Sequence, residues 1–225
     1  MGWNEWPRGV EIEPSLYAAD FSCLREDIVA VMDAGARIFQ FDVGDGHFVE
    51  PVTIGPIVLQ SISSLVHERE GVLDVHLMTE HPDRHFRAVV EAGGDSVTFH
   101  YEAVDDIRGV AARARELGLA VGLAFNPETE PDEVAAAAGD VELVLCMSIH
   151  PGYSGQKFMP EALDRIRRLR ELLPDETPIQ VDGGVGLDNV RALVEAGATL
   201  LVAGSSVYGG DDPGTAYRKL RAALE

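Results

Sequence analysis

A short apolar run that ends on a polar or ionisable residue, followed by a helical stretch, recurs eight times along this chain and constrains its fold more than any other feature. The runs finish at Ser15, at Gln40 and Asp42, at His76, His100 and Asn126, at Met147 with His150, at Asp182 and at Ser205. Eight strands with functional groups at their carboxyl ends are the pattern of a (β/α)8 barrel, which builds its active site on the loops leaving the strands. The expected strands are 10–16, 37–43, 72–78, 96–100, 120–125, 141–149, 178–181 and 199–203. A chain of 225 residues suits one such barrel, so the expectation is an α/β, single-domain TIM barrel over residues 1–225.

The punctuation between runs agrees with this reading. Asp33-Ala34-Gly35-Ala36, Glu91-Ala92-Gly93-Gly94, Glu116-Leu117-Gly118-Leu119 and Glu195-Ala196-Gly197-Ala198 each precede an apolar run, as a helix closing on glycine before a strand would. Ser22, with Arg25 and Glu26 behind it, is expected to cap the first helix. A loop over 44–56 leads into a helix over 57–66, and Pro82 is placed to start the next one. The runs Val141-Glu142-Leu143-Val144-Leu145 and Thr199-Leu200-Leu201-Val202-Ala203 are nearly continuous in aliphatic residues, as strands buried on both faces require. A doubly wound open sheet would show the same alternation, but no G-x-G-x-x-G follows the first strand.

Composition narrows the partners. The formal net charge of −20 repels nucleic acid and anionic membranes, so neither is expected. An anionic ligand would have to be held without a basic patch. Lysine occurs only at Lys157 and Lys219, in no predicted strand. Cys23 and Cys146 suggest neither a disulfide framework nor a metal knuckle. No basic segment followed by an apolar one opens the chain, and no apolar run is long enough to span a bilayer, so a soluble cytoplasmic protein is expected.

Five segments in order are recognisable: Pro14-Ser15 with Ala19-Asp20-Phe21, the stretch Phe41-Asp42-Val43-Gly44-Asp45-Gly46-His47-Phe48-Val49, Asp74-Val75-His76-Leu77-Met78, the stretch from His150 to Phe158, and Val181-Asp182-Gly183-Gly184. From about Glu11 to Leu220 the chain resembles the ribulose-phosphate 3-epimerase family. The resemblance implies a metal-dependent epimerisation at C3 of a small phosphorylated ketose, interconverting D-ribulose 5-phosphate and D-xylulose 5-phosphate. A homo-oligomer is expected.

The chemistry constrains the residues independently of that likeness. Epimerisation beside a carbonyl removes a proton from one face of carbon and returns one to the other, so two acid/base groups must flank the substrate. Asp42 and Asp182 end strands two and seven, far apart around a closed ring, and can face each other across its mouth. A strand-end Asp can also merely cap the following helix, but two at opposed positions favour catalysis. The enediolate intermediate carries negative charge that a divalent cation would neutralise. By resemblance that cation, of the zinc, iron, manganese or cobalt class, is held by Asp42, His76, Asp182 and a histidine two residues before the strand-two aspartate. Here that position is Gln40, whose amide oxygen is a weaker ligand for zinc-like ions and better suited to harder ones.

A second departure is Gly44, where the family usually carries a methionine beside Met78 and Met147. Its loss is expected to leave room, which either admits a longer ketose such as allulose 6-phosphate or only loosens substrate packing. Met78 and Met147 are expected to line the pocket. Gly183-Gly184 and Gly204-Ser205, on the loops after strands seven and eight, are expected to cradle phosphate through backbone N–H groups. Gly152-Tyr153-Ser154-Gly155 resembles the loop that closes over substrate in the family, and Ser15, by resemblance, hydrogen-bonds the sugar. His67, His81 and His85 read as helix-surface residues, whereas His100 could point into the barrel mouth. Decarboxylases and aldol-type synthases that depend on a strand-end lysine are disfavoured, because Lys157 is the only near candidate. A non-catalytic sugar-phosphate-binding protein is the alternative of a different class.

Overall fold

The computed structural model describes residues 2, 3 and 5–224. Eight parallel strands alternate with helices: β1 Glu11–Pro14, α1 Leu24–Asp33, β2 Ile38–Gly44, α2 Pro56–His67, β3 Val72–Met78, α3 Phe86–Ala92, β4 Ser96–His100, α4 Ile107–Glu116, β5 Ala120–Phe125, α5 Pro131–Ala137, β6 Leu143–Met147, α6 Ala162–Leu172, β7 Ile179–Asp182, α7 Val190–Ala196, β8 Leu200–Ala203, then a short α8 Ser205–Tyr208 and α9 Pro213–Ala222. The sheet runs β1-β8-β7-β6-β5-β4-β3-β2, and a bridge between Ser15 and Gln40 brings its two edges together. The molecule is therefore a single-domain (β/α)8 barrel.

The strands are buried on both faces, which is why their sequences lack strict polar alternation. Phe39, Phe41, Val75, Leu77, Phe99, Leu123, Val144 and Val181 pack outward in the core shared with the helices. Ile38, Val72, Leu143, Leu145 and Leu200 fill the inside, together with Trp3 and Trp6. Those two indoles meet edge to face at 5.1 Å. Gly93 and Gly197 close α3 and α7 at φ values of 91° and 114°, a conformation that side-chain-bearing residues rarely adopt.

Several boundaries differ from the sequence reading. The sixth strand spans Leu143–Met147 rather than 141–149, although Glu142 and Ser148 still donate backbone N–H groups to Val121 and Asp182. The first strand stops at Pro14, because Leu16–Ala18 turn into a 3-10 helix. Ser22 does not cap α1: its backbone N–H and hydroxyl both donate to Asp20, and Cys23 occupies the cap position. Pro82 opens a 3-10 turn, Pro82–Arg84, and α3 starts only at Phe86. Cys23 and Cys146 are both free thiols. No helix among the described residues is long and apolar enough to cross a membrane.

Candidate active site

Side chains alternate across a strand, so β2 turns Gln40, Asp42 and Gly44 to one face and β3 turns Asp74, His76 and Met78 to the same one. The β2–β3 register sets Asp42 beside His76 and Gly44 beside Met78. Across the ring, Met147 of β6 pairs with Asp182 at the end of β7. Closure of the barrel then brings these groups into contact. The Gln40 amide donates to Asp42 Oδ1 at 2.7 Å and to Asp182 Oδ2 at 3.0 Å, bridging the two carboxylates. Ser15 Oγ donates to the other Asp42 oxygen at 2.7 Å. His76 Nδ1 lies 3.0 Å from Asp42 Oδ1 and 3.9 Å from Asp182 Oδ2.

Asp42, His76 and Asp182 each offer one ligand atom, all within 4.8 Å of one another. Asp42 and His76 are buried, whereas the Asp182 side chain keeps 19% of its surface exposed at the cleft floor. The donor set of two carboxylates and an imidazole suits a divalent cation. Gln40 Oε1 is also buried and has no hydrogen-bond partner. A flip of the amide would turn this unpartnered oxygen toward the carboxylate pair, which fits a site that a cation completes.

Electrostatics separate Asp182 from ordinary surface acids. Burial and then the charge of Asp42 push the Asp182 carboxyl up to about 7, against the opposing pull of His76 and the Gln40 amide. Burial lowers the His76 value, but the hydrogen bond and charge of Asp42, with the charge of Asp182, outweigh it and leave His76 above the usual imidazole range. One layer deeper the same device repeats. The Gln180 amide donates to Glu13 Oε2 at 2.6 Å and to Asp74 Oδ2 at 3.1 Å, and the Ser96 and Thr98 hydroxyls donate to Asp74 Oδ1. Burial and the charge of Asp74 drive Glu13 well above the usual carboxylate range.

Every sequence-predicted site residue except Gln40 and His76 lines a single cleft above this cluster. Gln40 and His76 form its buried floor. Ser15, Asp42, Met78, Met147 and Asp182 line the cleft together with Gly152, Tyr153, Ser154 and Gly155 from the loop after β6, Gly183 and Gly184 from the loop after β7, and Gly204 and Ser205 after β8. Gly183 and Gly184 also have a packing role. A Cβ at Gly183 would fall 2.4 Å from Ile149 Cγ1, and one at Gly184 would fall 2.6 Å from the Phe158 nitrogen. At Gly204 a Cβ would meet Ala18 Cβ, Ser154 Oγ and Ser15 Cβ, at 3.2, 3.4 and 3.9 Å. Lys157 is exposed and outside the cleft lining.

The expectation that Gly44 leaves room is corrected by the structure. A Cβ there would lie 2.9 Å from both the Pro51 carbonyl oxygen and Val49 Cγ2, and 3.1 Å from Thr53 Cγ2. The loop folds back because Thr53 Oγ1 accepts the Gly44 N–H and donates to the Asp42 carbonyl. The space is taken by the loop after β2.

Sequence reasoning left His100 undecided and passed over Glu102. His100 is fully buried, its Nε2 lies 2.8 Å from His76 Nε2, and its Nδ1 lies 3.3 Å from Glu102 Oε2. Desolvation holds its imidazole down at about 4. The available signal was an acid two residues beyond a strand-end histidine, a pattern that helix-cap statistics do not flag.

A barrel with paired carboxylates and an imidazole at its open end, under a glycine-rimmed cleft, is the layout of an acid–base barrel enzyme. The model of the "Ribulose-phosphate 3 epimerase family" matches residues 11–208. A ribulose-phosphate 3-epimerase of Bacillus subtilis (strain 168) is 36% identical over 218 residues, covering 95% of this chain and 99% of the relative. Another, from Mycobacterium tuberculosis (strain ATCC 25618 / H37Rv), is 39% identical over 216 residues, covering 95% and 92%. The chain belongs to the ribulose-phosphate 3-epimerase family. The backbone is also similar to a 3-hexulose-6-phosphate synthase, with a TM-score of 0.71 at 20% identity over 96% of this chain and 100% of that one. Likeness at such low identity speaks to the fold alone.

Proposed function

We propose that this chain interconverts D-ribulose 5-phosphate and D-xylulose 5-phosphate, with Asp42 and Asp182 exchanging protons at C3 from opposite faces. The observation that carries the reading is the pair itself: carboxylates from β2 and β7, bridged by one amide, in the lining of one cleft. Asp42 is oriented by donors on both oxygens, Ser15 on one and Gln40 on the other, which suits a base that must meet a C–H bond at a set angle. Asp182, with its carboxyl raised to about 7, can hold a proton near neutrality and deliver it. Their roles exchange with the direction of reaction. Loops carrying Gly183, Gly184, Gly204 and Ser205 would receive the phosphate on backbone N–H groups, which answers how so acidic a chain holds an anion.

Asp42, His76 and Asp182 would hold a divalent cation, with the Gln40 amide as a fourth donor if it turns its orphan oxygen inward. When bound, the cation supplies Lewis-acid stabilisation of the charge that develops on the enediolate oxygens. Because Val49 and Pro51 fill the space beside Gly44, the pentose is favoured over allulose 6-phosphate. The test is incubation in heavy water with each ketose phosphate, with and without a chelator, following deuterium into C3. Incorporation with ribulose 5-phosphate alone is expected. No incorporation from either sugar would abandon catalysis and leave sugar-phosphate binding as the function.

A further inference from the structure

The histidine beneath the carboxylate pair is itself held from behind. His100 ends β4, and its Nε2 stands 2.8 Å from His76 Nε2. The two rings are nearly coplanar, at 25°, with centroids 5.0 Å apart. The nitrogens are therefore much closer than the ring centres, so the rings meet tip to tip and one nitrogen donates while the other accepts. Phe48 packs against the His100 ring at 4.7 Å and both histidines are fully buried, so protein groups rather than bulk water determine which one donates.

Glu102 makes that choice. It sits in the 3-10 turn Tyr101–Ala103 that leaves β4. Its Oε1 accepts the Asn126 N–H at 2.8 Å and the Thr129 hydroxyl, which ties it to the loop after β5. Its Oε2 faces His100 Nδ1 at 3.3 Å. A carboxylate offers no donor, so His100 must carry its proton on Nδ1 and present Nε2 as a lone pair. His76 then has to donate from Nε2.

We propose that Glu102 and His100 are positioning residues that keep a proton on His76 Nε2, so that Nδ1, which in the metal-free chain faces Asp42 Oδ1 at 3.0 Å, is the nitrogen that gives up its proton to a cation held with Asp42 and Asp182. The proposal rests on the reading of His76 as a cation ligand. It extends that site outward by two residues, from β3 through β4 to the β5 loop. Outer partners of this kind typically alter metal affinity by about 10–100-fold when removed.

Glu102→Gln tests it. The two donors on Oε1 require the Gln carbonyl to stay there, which turns the amide NH2 towards His100 and forces His100 to take its proton on Nε2, against His76. Histidine-labelled metal-free protein, read by 15N NMR, reports the His100 tautomer; titration with Zn²⁺ against a competing chelator reports affinity. In the parent protein His100 should be protonated on Nδ1. In Glu102→Gln the proton should move to Nε2 and Zn²⁺ binding should weaken by about 10–100-fold, while Glu102→Asp retains the parent tautomer and most of the affinity. His100→Gln, whose carbonyl can still accept from His76, guards against a folding failure at Glu102 and should bind Zn²⁺ more tightly than His100→Phe. A parent His100 protonated on Nε2, or equal affinity in parent and Glu102→Gln, would overturn the proposal. If the parent bound no Zn²⁺, the ligand reading of His76 would fall instead, and the tautomer measurement would still decide what Glu102 does.

Discussion

Gln40 donates a side-chain N–H to Asp182 at 3.0 Å, although the two are 142 positions apart in sequence. The same amide group holds Asp42 at 2.7 Å, so one neutral side chain bridges two carboxylates that also share the His76 ring as a neighbour. An amide can do this from either end, offering hydrogens to ionised carboxylates or an oxygen to a cation. That versatility distinguishes Gln40 from the histidine that the family resemblance implies at this position.

Asp182→Asn keeps the shape of the side chain and removes its proton chemistry. Epimerisation should fall by roughly 10²–10⁴-fold, with circular dichroism and melting temperature near those of the parent. Deuterium wash-in at C3 from each ketose phosphate measures the loss. An unchanged rate would take Asp182 out of the reaction.

Gln40→His should tighten binding of a divalent cation, measured by competition with a chelator, because imidazole is the stronger ligand for zinc-like ions. Unchanged affinity would mean that position 40 does not ligate. Gln40→Ala instead leaves the carboxylate pair without its bridging donor, and the metal-free protein should lose about 1–3 kcal/mol in denaturant melts.

Glu13→Gln addresses the deeper layer. The folded chain raises the Glu13 carboxyl well above its value in the unfolded chain, so above the unfolded value the native state binds more protons than the unfolded one. Stability contributed by this group is therefore present at low pH and is lost as pH rises from the ordinary carboxylate range towards the raised folded value. Relative to the parent, Glu13→Gln should gain stability as pH increases from about 4 to about 8, by about 1–3 kcal/mol. Parallel stability curves for the two proteins would show that Glu13 ionises freely in the fold.

Gly44→Ala should cost about 1–3 kcal/mol, because the added Cβ meets the Pro51 carbonyl and Val49 at 2.9 Å and neither is the free end of a flexible side chain. Thermal melting checks this. An unaffected melting temperature would mean that the loop after β2 yields easily, and the case for a pentose over a longer ketose would weaken with it.

Much of this was legible before any coordinates. Strands β3, β4 and β5 have the ends read from the sequence, since a fully buried strand is a dense apolar run bounded by helix ends and glycines. Asp42, His76 and Asp182 stood out because a strand's last polar residue must face either solvent or a site. Boundaries that depend on a partner strand or on local side-chain bonding were less readable. Ser22 looked like a cap until Asp20 took both of its donors, and the sixth strand looked longer because its ladder hydrogen bonds outlast its regular geometry. Gly44 misled for a related reason: a missing side chain in sequence says nothing about which distant segment fills the gap.

The sequence by itself determined the repeat of strand and helix, the strand-end placement of the acids and histidines, and the exclusion of a basic anion site, because periodicity, spacing and charge are properties of the chain alone. Only the tertiary structure decided that Gln40 bridges Asp42 to Asp182, that Glu102 reaches His76 through His100, and that Val49 and Pro51 occupy the place beside Gly44. Those contacts join residues distant in sequence across a closed ring. Hydrogen-bond direction and steric overlap exist only once the ring has closed.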